Sequence, residues 1–119
     1  MNTNPHLEFE LAQFTGTEKL YRLTTRHLLT DGTMYLAEHA KCYWLMIAVA
    51  SHLTGKIDDH FAVAKLSIVG DGAVLTLGDG NGNVFAKQSI EFTDFPLPEV
   101  KLYCCFDGDH WTIMLPREY

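Results

Sequence analysis

Six histidines and three cysteines are the side chains of this 119-residue chain best suited to holding a metal or attacking a substrate. His39 and Cys42 lie three apart and share a face if that segment is helical, while Cys104, Cys105 and His110 fall near strand ends. Zinc takes four nitrogen or sulfur ligands, and these residues could supply them. The spacing argues against it. Neighbouring strand residues point to opposite faces, so Cys104 and Cys105 do not readily serve one centre, and neither CxxC nor HxxxH occurs. Thiol catalysis needs an adjacent base. Cys42, Cys104 or Cys105 with His39, His52, His60 or His110 makes only the pairings that chance supplies, and no G-x-S-x-G elbow or Walker-type phosphate loop accompanies them. Asp58-Asp59 ahead of His60 reads as a solvated turn entering a strand. The expectation is a chain with no catalytic residue, no metal and no cofactor. A small Cys/His-dependent hydrolase or zinc-binding protein stands as the alternative.

Two further groups of residues have site-like spacing. Asp79-Gly80-Asn81-Gly82-Asn83 begins like a calcium loop, but Val84 stands where the sharp turn needs glycine and Ile90 where a bidentate glutamate is needed. A Gly/Asn hairpin turn accounts for every residue there. Lys19, Arg22 and Arg26 recur at i, i+3 and i+7 beside Tyr21 and His27, a basic stripe that could contact an anion or an acidic partner if the segment is helical. An exposed helix face balancing acidic loops is the better-supported account of them.

Helical and strand periods divide the chain near residue 61. Leu7, Leu11 and Phe14 mark a short N-terminal helix, and the capping-box spacing Thr15-x-x-Glu18 predicts a second through Leu20 and Leu23. Thr30-Asp31-Gly32 breaks the chain, with Asp31 as the expected N-cap of a central block that runs to Leu53 and can split near His39-Ala40. Gly55 ends it in the left-handed conformation. After Asp59 the period becomes two, around Ala64–Ile68, Ala73–Leu77, Val84–Phe92, Val100–Phe106 and Trp111–Leu115, with glycine- or proline-rich separators. The reading is one α+β domain over residues 1–119. N-terminal helices (about 6–54) would pack on one face of an antiparallel sheet of about five strands (about 61–116).

The central block is apolar on every face at Tyr43-Trp44-Leu45-Met46-Ile47. Such a helix is wrapped by its own domain, pressed against a partner or set in a membrane. Its uninterrupted apolar run, Cys42 to Ala50, has nine residues against the roughly 20 a bilayer span needs. The N-terminus lacks the basic start and apolar stretch of a signal peptide. Odd cysteines, two of them adjacent, suit reduced thiols. A cytoplasmic protein with no membrane span is expected. The net charge of −6 argues against nucleic acid as a partner. If the block is straight, Lys41, Leu45, Ala48 and His52 lie along one outward strip, with Tyr43 and Ile47 inward. Apolar surface exposed between polar ends is a mark of a protein interface. Either the N-terminal helix of Leu7, Leu11 and Phe14 covers that strip, or the strip, with Trp44 and Tyr103, is the expected partner-binding surface, for another protein or for a second copy of the chain.

Several stretches taken together resemble a small uncharacterised bacterial and phage family, a domain of unknown function. They are Phe14-Thr15-Gly16-Thr17-Glu18 with Tyr21-Arg22, Leu29-Thr30-Asp31-Gly32 leading to Tyr35-Leu36-Ala37-Glu38, Tyr43-Trp44-Leu45, Gly80-Asn81-Gly82, Phe92 to Leu97, and Leu115-Pro116-x-x-Tyr119. The resemblance spans nearly the whole chain and assigns no catalytic residue. It implies a home on phages or other mobile elements, and accessory roles such as inhibition of host defence, anti-CRISPR activity included.

Overall fold

The computed structural model describes residues 5–56 and 59–119, so Asp58 of the expected acidic turn lies outside the described residues. The elements in chain order are α1 (Pro5–Leu11), β1 (Tyr21–Arg22), β2 (His27–Leu29), α2 (Asp31–His39), α3 (Tyr43–Leu53), β3 (Phe61–Val69), β4 (Gly72–Gly78), β5 (Val84–Ile90), β6 (Glu99–Phe106) and β7 (Trp111–Met114). A 3-10 turn over Pro116–Glu118 follows. The fold is α+β, and the sheet is mixed and has seven strands, not five, in the order β1-β2-β7-β6-β3-β4-β5.

The five long strands fall where the alternation places them. Their order is not a meander. β6 pairs with β3, so the link from β5 crosses past two strands, and Phe95 and Leu97 are buried along it. The two additional strands replace the predicted helix at Leu20–Leu23. Thr15 and Glu18 do not cap a helix; the chain there runs as a loop into the β1–β2 hairpin, with Leu23 N–H bonded to His27 O at 2.9 Å. β2 then pairs with β7 in parallel, His27 opposite Trp111 and Leu29 opposite Ile113. Lys19, Arg22 and Arg26 therefore form no helical stripe.

Buried strand residues alternate as period two requires: Ala62, Ala64 and Leu66 on β3, Leu75 and Leu77 on β4, Leu102 and Cys104 on β6. They join Leu36, Leu45, Met46, Val49 and Leu53 of the helices in one cluster, and α2 and α3 contact β7. Between these helices Lys41 sits at φ +52, a left-handed value that ends α2's direction and restarts the chain as α3. Gly55 stops α3 at φ +87.

That break resets the helical phase. Continuing a straight helix from Lys41 to His52 puts Leu45 outward, whereas Leu45 is 1% exposed and Tyr43 and Ile47 are 43% and 49% exposed. The buried stripe of α3 is Leu45, Met46, Val49, Ala50 and Leu53. The outward one is Tyr43, Ile47 and Ser51.

Candidate functional site: a cleft beside the third helix

Three of the family-like stretches, those around Thr17 to Tyr21, Thr30 to Gly32 and Leu115 to Tyr119, meet at the start of α2. Thr30, not Asp31, is the N-cap: its hydroxyl accepts from Thr33 N–H, and the Thr33 hydroxyl accepts from Thr30 N–H at 2.9 Å. Asp31 has a different task. Its carboxylate accepts from Glu18 N–H at 2.8 Å and from the Tyr21 hydroxyl at 3.0 Å, while Asp31 N–H donates to Thr17 Oγ1 at 2.8 Å. These bonds, the one from Glu18 N–H first, hold the Asp31 carboxyl below the usual carboxylate range. Glu118 reaches the same helix from the other end of the chain, accepting from the Thr30 hydroxyl at 2.6 Å and from Gly32 N–H at 3.0 Å. An anion at a helix N-terminus satisfies free N–H groups and opposes the helix dipole. This cluster is a clasp that closes on itself.

The expected metal and nucleophile residues are dispersed. Cys42 and Cys104 are fully buried, and burial pushes the Cys42 thiol up to about 12 and Cys104 further up. Cys42 Sγ points to Leu36 O at 3.5 Å. Among the described residues no three of His, Cys, Asp and Glu gather where they could hold a metal ion. The calcium-like loop is a turn: Asp79 accepts from Asn81 N–H at 2.7 Å and from the Asn83 side-chain amide at 2.8 Å.

The expected partner surface divides. Lys41 is exposed in the link before α3, Trp44 and Ala48 are half-buried, and His52 bonds Gln88 on β5 at 2.8 Å. Leu45 is in the core, which removes it from any surface. Tyr103 alternates with buried Leu102 and Cys104, so it lies on the opposite sheet face, in a three-ring cluster with Phe61 and Tyr119 at centroid distances of 5.2 to 5.5 Å. Arg22 Nη1 donates to Thr25 O at 3.4 Å, Lys19 is exposed on the loop ahead of β1, and Arg26 lies elsewhere, on the rim of a cleft.

That cleft, of about 690 Å³, opens between α3, the β1–β2 turn and the end of β7, within the size range of ligand pockets. Ile47, Ala50 and Leu53 form one wall; Phe106 and Trp111, with ring centroids 5.2 Å apart, form another. His27 belongs to the third. It is 5% exposed, its Nδ1 is 2.6 Å from Thr24 Oγ1, and its Nε2 is buried with no hydrogen-bond partner among the described residues. Burial lowers its pKa, so the ring is held neutral. A buried polar nitrogen without a partner costs about 1–3 kcal/mol. Nothing in the sequence flags His27 or Trp111: a three-residue strand is too short to show a period, and the β2–β7 pairing joins residues more than eighty positions apart.

The fold defines a small α+β domain with a mixed seven-stranded sheet and the clasp at α2 that its sequence motifs build. The chain belongs to DUF6876, a family of unknown function, which it matches over residues 5–119. It is similar in fold to a crystal structure of a protein of unknown function from Enterococcus faecalis, at 14% identity and a TM-score of 0.60, covering 85% of this chain and 98% of that one. No match was found among curated proteins. No helix among the described residues is long and apolar enough to cross a membrane.

Proposed function

We propose that the protein is a non-enzymatic binding protein that docks onto a protein partner through the outward ridge of α3, in the cytoplasm of a bacterium. One observation carries this reading: Tyr43 and Ile47, one turn apart, remain 43% and 49% exposed on a helix whose other side is core. Large apolar side chains clustered on a rigid helix, flanked by half-buried Trp44, are the usual anchors of helix-mediated interfaces. The concrete form is an accessory protein of a phage or mobile element that inhibits a host defence complex, anti-CRISPR activity being one case; this form rests on the motif resemblance.

The test is a plaque assay on a host carrying an active defence locus. The protein raises phage plating, and Ile47→Glu, a folded variant, does not. Plating by Ile47→Glu equal to the wild type removes the α3 ridge from the mechanism. No effect of the wild type against CRISPR–Cas removes the anti-CRISPR form.

A further inference from the structure

We propose that the cleft between α3 and β7 binds a small carboxylic acid with a bulky apolar body, the body seated against Trp111 and Phe106 and the carboxylate taken by His27 and Arg26. The first support is the unpartnered nitrogen. Thr24 Oγ1 accepts from Arg26 N–H at 3.2 Å and lies 2.6 Å from His27 Nδ1, a bond whose donor is set by the histidine tautomer. With the Thr24 hydroxyl donating to Nδ1, Nε2 carries the proton, a buried donor on a residue that lines the cleft, with no acceptor among the described residues. Native proteins rarely leave such a group unmatched. An acceptor brought by an occupant matches it.

The second support is charge. The chain is acidic overall at −6, yet among the described residues no carboxylate lines this cleft, and Arg26 is the cation that does. Among the described residues the Arg26 guanidinium meets no carboxylate; its one bond is to Asp109 O at 3.5 Å. The smaller cleft beside α1, of about 420 Å³, contrasts with it, since Glu8 and Glu99 there offset Lys101 and Arg117. The third support is the rest of the lining. Ser51 and Thr54 already donate to Ala48 O and Ala50 O at 2.7 and 3.0 Å. Apart from the Thr24–His27 turn at one end, the walls are otherwise aliphatic and aromatic, which suits an apolar body with one polar end.

The experiment titrates 4-phenylbutyrate and its uncharged amide in parallel into the full chain, followed by backbone and histidine side-chain NMR. The acid is expected to bind saturably, with shifts centred on 24–27, 50–55 and 106–111, and the amide about tenfold more weakly or worse. Arg26→Gln, at an exposed position, is expected to keep the fold and bring the acid down to the amide's affinity. Equal affinity for acid and amide, an unchanged affinity in Arg26→Gln, or no saturable binding of the acid at millimolar concentration each overturns the proposal. Ile47 belongs both to the α3 ridge and to the cleft wall, so docking by α3 is tested apart from this site with Tyr43→Glu, at an exposed ridge position that does not line the cleft.

Discussion

Glu118 closes over Gly32: one carboxylate oxygen accepts from the Gly32 N–H at 3.0 Å, and a Cβ at position 32 would stand 2.5 Å from the other. The penultimate residue of the chain thus caps a helix that begins near its first quarter, and only glycine admits that approach. Glu118→Ala is expected to lower stability by about 1–2 kcal/mol through loss of the cap. Gly32→Ala is expected to cost about 1–3 kcal/mol through the clash. In urea unfolding the double variant should lose less than the sum, because removing the carboxylate takes away the 2.5 Å contact and leaves only that with Leu115 Cδ1 at 2.6 Å.

The pH dependence has two windows. Burial holds the His27 pKa below its unfolded value, so the unfolded chain takes up the proton first as pH drops. Stability therefore begins to fall below about pH 6.5 and goes on falling until the folded pKa is passed. The Asp31 carboxyl is likewise depressed, and its contribution, present above about pH 3.9, is lost as pH falls through its folded pKa. His27→Leu should flatten the upper limb of a plot of Tm against pH. Asp31→Asn should start lower at neutral pH and converge with the wild type in acid.

The phase of α3 predicts opposite results for residues two apart. Leu45→Ala is expected to cost about 2–5 kcal/mol and Leu45→Glu to abolish folding, since Leu45 is 1% exposed. Ile47→Glu should change stability by less than about 0.5 kcal/mol. Circular dichroism and urea titration of the three variants decide it; a folded Leu45→Glu would refute this phase.

Lys41 occupies a left-handed backbone position at φ +52. Side-chain-bearing residues sit there at a cost of about 1–2 kcal/mol that glycine escapes. Lys41→Gly is expected to stabilise the domain by about 0.5–1 kcal/mol after glycine's own entropy is counted, seen as a raised urea midpoint with unchanged m.

Thiol accessibility follows burial. Cys42 and Cys104 are sealed in the core with pKa values raised by desolvation, while Cys105 is half-buried. A disulfide reagent should titrate a single thiol in the native protein, slowly, and all three after unfolding.

The sequence by itself determined whatever rests on local periodicity and turn chemistry. The alternation from Ala64 to Leu115 places five strands, Gly55 stops α3, and Asp79-Gly80-Asn81-Gly82-Asn83 makes a turn, because each depends on residues within reach of one another along the chain. It also carried the family, through motifs whose Thr17 and Asp31 turn out to belong to a clasp that Glu118, unspecified in those motifs, completes. Only the tertiary structure decided the rest. A two-residue and a three-residue strand carry no readable period, so β1, β2 and the parallel pairing with β7 emerge only when distant segments meet. A helix apolar on every side has no phase of its own; the left-handed turn at Lys41 and the sheet beneath α3 chose which side became core. The parallel pairing of β2 with β7 set His27 beside Trp111, and α3 laid alongside it completed the cleft, a meeting of segments far apart in the chain that neither residue's neighbours in the sequence announce.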